Sequence, residues 1–490
     1  MRGFKFGIIK LMAETFFFYD LETSGLSARD DRIMQFAGQR TDMDLNPIGE
    51  PYNVLVALND DTLPSPGALM VTGITPQETV AEGYTEAQFA ELLATEVFTE
   101  GTIAVGYNNI RFDDEFIRHL MWRTFRDAYE WHWRDGRSRW DLLDVVRMTR
   151  ALRPSGIEWP VVDGKEVNKL ELLSKVNNIE HLHAHDALSD VEALIAVTAL
   201  IKQKQPQLYG YLLKMRDKNA VKKLVNLDDK QPFVYVSGRY DAEYHKGTVA
   251  FPLTAGKNGN VAVYDLRIDP TPYIDMSPKD LAKIFYATWE ERQKEGFAPL
   301  PVKELQYNRA PAVAPLGVLE QEGGWERLGI TKEAVEHNKK VLLGAPHFAE
   351  NIRGLFENRQ EYAKSPDVEA QLYDGFLGDK DRLRMQSVPR MDKNELADYS
   401  PAFDDVRLGD LLLHYKARNY PKSLTSDEST KWEQWRVARL QRQLPKFNKE
   451  LGELATKDLS EKNQFVVQEL KFWLENIAPY QLGGDESTSH

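Results

Sequence analysis

The chain has 490 residues, a net charge of −13 at neutral pH and no cysteine. That length has room for about three domains, and 42% apolar with 28% charged residues is the balance of an ordinary globular protein. The missing cysteines exclude disulfides, zinc-thiolate centres and thiol nucleophiles, so any metal must sit on oxygen or imidazole; the acidic balance counts against a generic nucleic-acid coat unless basic residues gather along one path.

The opening Met1 to Lys10 sets Arg2, Lys5 and Lys10 around a few apolar residues, with no sustained apolar core or cleavage site, so no secretion signal is expected. No apolar run approaches the ~18 residues of a membrane span, which predicts a soluble, cytoplasmic protein with no membrane partner. Phe16 to Asp20 is a continuous apolar run, as expected for a strand covered on both faces. Arg32 to Arg40 and Val54 to Leu58 read as strands around the turn-rich Asn46-Pro47-Ile48-Gly49, an antiparallel hairpin. Thr75-Pro76-Gln77-Glu78 carries a capping box with proline at the first helical position. Thr102 to Tyr107 returns as a strand, and helices are predicted over Asp113 to Phe125, Trp140 to Leu152 and Asp186 to Lys202. Past residue 200 the short β-rich pieces Phe233 to Val236, Thr248 to Phe251 and Val261 to Tyr264 suggest a small barrel. From Glu361 the pattern is helical and charged, and it ends in a polar tail. The fold class is α/β.

Asp20 and Glu22 stand two apart at the end of an apolar strand, so their carboxylates share a face and can hold one cation. A lone Asp-x-Glu more often ends a strand with solvated acids. Asp113 follows the second strongly apolar strand and opens a helix, where it could be simply a cap; Asp114 and Glu115 read as ordinary first-turn acids favoured by the helix dipole. Asp190 shares the helical face of Leu194, Val197 and Ile201, and a carboxylate on an apolar face usually has a cation waiting. His185 reaches the same cleft if Asp186 caps the helix, although the stretch His181, His183, His185 also fits a histidine-rich surface. Taken together, four acids and a histidine are what two-metal phosphodiester cleavage requires: magnesium prefers oxygen ligands, paired ions lie about 3.5 to 4 Å apart, and a neutral imidazole can take a proton from water.

The segments Phe18-Tyr19-Asp20-Leu21-Glu22-Thr23, Gly106 to Glu115 and His185 to Asp190 resemble the DEDD exonuclease superfamily in its histidine-containing branch. Ser138 to Asp144, Ala151 to Pro154, Val236 to Gly238, Gln371 to Phe376 and Tyr415 to Tyr420 extend the resemblance to the bacterial exonuclease I family over nearly the whole chain. The resemblance implies an RNase H-like mixed-sheet nuclease domain over 15–202, an SH3-like β-barrel domain over 203–359, a helical C-terminal domain over 360–480 and a disordered tail over 481–490. It implies a monomer that degrades single-stranded DNA processively, 3′→5′, releasing 5′-mononucleotides in DNA repair and recombination. Asp20, Glu22, Asp113 and Asp190 would hold two Mg²⁺ ions, with Mn²⁺ able to substitute, His185 would be the general base, and Glu22 would also lie by the terminal nucleotide.

Between Arg118 and Arg153 the chain interleaves arginines with aromatic residues, the composition of a single-strand channel in which each base stack contributes about 1 to 3 kcal/mol. Several of these tryptophans must instead pack the core, with arginines lying around them. By resemblance, Arg118, Tyr129, Trp133, Arg147, Lys218, Lys303, Asn308, Tyr373 and Phe376 contact the strand. Lys169 stands where the family carries an arginine, losing a bidentate fork. The family also docks the acidic tail of single-stranded-DNA-binding protein; Arg153 and Tyr211 match that pocket, but Gln321 and Leu343 replace later basic positions, which counts against the partnership. The competing readings are an exoribonuclease of the same superfamily, a non-catalytic single-strand-binding protein and a metal-free scaffold.

Overall fold

The computed structural model describes residues 14–181, 186–359 and 364–478. The described residues form two compact units, one of 14–138, 186–192 and 364–478, the other of 139–181 and 193–359.

The first unit is built on strands β1 (Thr15–Thr23), β2 (Ile33–Thr41), β3 (Tyr52–Leu55) and β4 (Thr102–Gly106), in the order β3-β2-β1-β4. β1 pairs antiparallel with β2 and parallel with β4, so the sheet is mixed. The hairpin expected from Asn46 to Gly49 is present, although its second strand starts at Tyr52 and stops at Leu55. Phe16, Phe17, Phe18 and Tyr19 are fully buried, as a strand covered on both faces requires. Phe17, Tyr19 and Leu21 pack with Phe36, Phe89, Ile117 and Leu120 on one face; the alternation sends Phe16, Phe18, Asp20 and Glu22 to the other. The same core is closed by Leu408, Leu411, Leu412 and Tyr415 from the helix Arg407–Asn419.

Beneath this core lies a buried ionic network. Glu369 accepts from Arg32 Nη2 at 2.6 Å and from His414 Nδ1 at 2.9 Å, and Arg418 Nη2 lies 2.6 Å from its other side. Arg418 also holds Asp61 at 2.5 Å, Arg439 holds Asp367 at 2.7 Å and Arg123 holds Glu86 at 2.5 Å. Four carboxylates thus meet four guanidinium groups out of water, the arrangement in which buried charge is tolerated.

In the second unit a five-stranded antiparallel sheet runs in the order Val302–Leu305, Val261–Asp265, Gly247–Ala255, Phe233–Val236, Ala312–Pro315. Its interior is Phe233, Val261, Val263, Leu305 and Val313, covered by Val221. The helix expected from Trp140 begins instead at Leu142. Trp140 belongs to the strand Ser138–Asp141, and Asp141 caps the helix Leu142–Leu152 by accepting from Leu143 N at 3.1 Å. No helix among the described residues is long and apolar enough to cross a membrane.

Candidate active site

Three elements of the first unit deliver the acids. β1 ends in Asp20 and Glu22, and the helix Asp113–Arg123 opens on Asp113 after the turn that follows β4. Asp190 lies in the first turn of the helix Ala187–Lys204. Asp186 caps that helix, accepting from Leu188 N at 3.1 Å and Ser189 N at 3.2 Å. Ligand oxygens of Asp20, Glu22 and Asp190 all lie within 4.8 Å of one another. Asp113 is buried beside Asp20, close enough to be the first carboxylate to act on it, but stands outside that tightest trio.

The electrostatics show what would stabilise the trio in its charged form. Burial first, then the charges of Asp113 and Asp190, push Asp20 well above the usual carboxylate range. Burial, Asp20, Asp190 and Asp186 push Glu22 up to about 9. Every one of these causes penalises ionisation, and the attraction of a divalent cation on the shared oxygens would oppose them. A second group among the described residues, Asp367, Glu369 and His414, has metal-ligand spacing too. Burial raises Glu369, but Arg418 and Arg32 with His414 override it and hold that carboxyl well below its ordinary value. Its countercharge is already protein, whereas the oxygen-only donors at Asp20, Glu22 and Asp190 suit a hard divalent ion.

Asp114 and Glu115 do lie in the first turn of their helix, as expected, but both also have tertiary partners. Asp114 is completely buried and accepts a hydrogen bond from the Tyr19 hydroxyl. Glu115 binds Arg118 Nη1 at 2.7 Å and accepts from the Tyr373 hydroxyl. The signal available in the sequence was Tyr19 itself, a hydroxyl within a strand buried on both faces, which needs a partner.

Arg118, Tyr129 and Tyr373 come together: the guanidinium lies 5.4 Å from the Tyr129 ring centroid and 3.4 Å from the Tyr373 hydroxyl. Trp133 is 60% exposed and Phe376 fully exposed, surfaces whose ring faces remain available for stacking. In the second unit Arg147 pairs with Asp144 at 2.7 Å, and exposed Lys169 lies 3.5 Å from Glu171. Lys218 and Asn308 are exposed, and Lys303 donates to the Arg239 carbonyl at 2.7 Å with its ammonium 3.4 Å from the Tyr240 ring centroid. Arg153 reaches Gln321 Oε1 at 3.0 Å, so two of the expected tail-docking positions do meet, and Leu343 is exposed. His185 lies outside the described residues.

A strand Asp-x-Glu facing a helix acid on a mixed sheet, with Asp113 alongside, defines a divalent-metal-dependent exonuclease, and residues 17–198 match the family model described as Exonuclease. Residues 216–358 match the Exonuclease I SH3-like domain and 366–477 the Exonuclease I C-terminal domain. Exodeoxyribonuclease I of Haemophilus influenzae is 38% identical over 93% of this chain and 97% of that protein. E. coli exonuclease I in complex with a dA16 oligonucleotide superposes with a TM-score of 0.89 at 36% identity, over 95% of this chain and all of that one. An SSB/exonuclease I structure with the inhibitor CFAM gives 0.87 at 36% identity, again over 95% of this chain and all of that one. The chain belongs to the exonuclease I family.

Proposed function

We propose that this protein hydrolyses single-stranded DNA processively from its 3′ end, releasing 5′-mononucleotides, as a cytoplasmic monomer serving DNA repair and recombination. The observation that carries the reading is the convergence of Asp20, Glu22 and Asp190 within 4.8 Å, with Asp113 next to Asp20. These four carboxylates would hold two Mg²⁺ ions, Mn²⁺ substituting, and when bound the ions supply Lewis-acid stabilisation of the charge that builds on the phosphate. Asp186, by capping its helix, holds the turn that follows His185, the residue assigned to accept the proton from the attacking water. Arg118, Arg147, Lys169, Lys218 and Lys303 would meet phosphates, Asn308 would hydrogen-bond to the strand, and Tyr129, Trp133, Tyr373 and Phe376 would stack on bases. Glu22 would border the terminal nucleotide.

The crystallised relative with dA16 supports single-stranded DNA as substrate. The SSB/exonuclease I structure supports single-stranded-DNA-binding protein as a partner, and Arg153 and Tyr211 would be docking positions for its acidic tail. The proposed domains run over 15–202, 203–359 and 360–480. The test is end-labelled single-stranded DNA with Mg²⁺, comparing the parent with Asp20→Ala and with a matched RNA oligonucleotide. Stepwise 3′ shortening of DNA by the parent and none by the variant is expected. Robust cleavage by Asp20→Ala would overturn the site, and preferential shortening of RNA would favour an exoribonuclease.

A further inference from the structure

β1 sends Tyr19 and Asp20 to opposite faces, and the helix Asp113–Arg123 opens with Asp113 and Asp114 side by side. One member of each pair, Asp20 and Asp113, lies in the carboxylate site. The other two, Tyr19 and Asp114, are completely buried behind it, and the Tyr19 hydroxyl donates to Asp114 Oδ1. Asn109, also fully buried, bridges them: its Nδ2 donates to the Tyr19 hydroxyl oxygen at 3.3 Å and to Asp114 Oδ1 at 3.4 Å. Gly106 makes room for this, since a Cβ there would stand 2.6 Å from Asn109 Cβ. Rings of Phe36 and Phe98 flank Tyr19, at 6.3 and 6.2 Å between centroids, and limit its movement.

Strand and helix are therefore joined one residue away from where each contributes a ligand. We propose that the Tyr19–Asp114 hydrogen bond is a positioning clasp that fixes the distance between the Asp20 and Asp113 carboxylates, and so sets divalent-cation affinity without touching cation or substrate. The inference rests on the carboxylate site proposed above. It acts one residue further out than a hydrogen bond made to a ligand itself, a contact whose loss lowers metal affinity about 10- to 100-fold, so the lower end of that range is expected.

The test is calorimetric titration of the DNA-free full chain with Mn²⁺, alongside thermal unfolding in EDTA. Tyr19→Phe should bind Mn²⁺ about 10-fold more weakly while unfolding near the parental temperature. Asp114→Asn, whose amide oxygen can still accept the tyrosine hydroxyl, should stay near the parent, and Asp114→Leu should match Tyr19→Phe. Parental binding by Tyr19→Phe overturns the clasp, as does an equal loss in Asp114→Asn. Asp20→Ala separates the two claims: unchanged Mn²⁺ binding there removes the site itself, whereas its loss with an unaffected Tyr19→Phe removes only the clasp.

Discussion

Replacing Glu369 by glutamine tests the buried ionic network in a single atom exchange. The carboxylate is 0% exposed and its oxygens lie 2.6 Å from both Arg32 and Arg418. Glutamine keeps the shape and one acceptor oxygen but leaves four guanidinium groups facing three carboxylates, Asp61, Glu86 and Asp367. Breaking a buried pair on one side costs about 3 to 5 kcal/mol, because the remaining charge is neither solvated nor paired. For a unit of this size each kcal/mol moves the midpoint by about 2 °C, so the first unit should melt about 6 to 10 °C lower, read by circular dichroism. The sign with pH follows from Glu369, which Arg418 and Arg32 hold well below its ordinary value despite burial. A depressed acid contributes stability above its unfolded pKa and loses it as pH falls through the folded one. The gap between parent and variant should accordingly stay constant from pH 8 down to about 5 and close only in stronger acid. A midpoint shift below about 2 °C at pH 7 would refute the idea that this network carries net stability.

Lys303 gives a second pH handle. Burial, relieved in part by Asp265, brings its ammonium down to about 8, so its charge is present below that value and lost as pH rises through it. Parent affinity for oligo-dT in EDTA should drop between pH 7 and pH 9 while Lys303→Arg stays flat; identical profiles would remove Lys303 from the strand contacts. Trp133→Ala and Phe376→Ala remove exposed rings, so each should weaken oligo-dT binding by about 1 to 3 kcal/mol in fluorescence anisotropy without moving the melting midpoint.

Asp20 and Glu22 were legible because a strand's period of two is written in consecutive residues, and Asp190 because an acid on an apolar helical face contradicts its surroundings. The barrel strands were legible from short β-rich runs between glycines. Asp114 was not: a first-turn acid is usually solvated, and only tertiary packing against Tyr19 buries it. Trp140 and Asp141 lie in a strand and not in the following helix because residues that lead into a capped helix carry the same local pattern as its first turn. The network of Arg32, Asp61, Glu86 and Glu369 left no trace, since its members are scattered along the chain and carry no periodicity.

The contact between Arg32 and Glu369 spans 337 positions, and the helix Arg407–Asn419 closes the same core that β1 begins. During synthesis the first strands leave the ribosome long before the segments that complete their packing exist. The early helices can cover much of the ligand-bearing strand as they emerge, but the part of the core that Leu408, Leu411, Leu412 and Tyr415 supply must wait for a segment far along the chain.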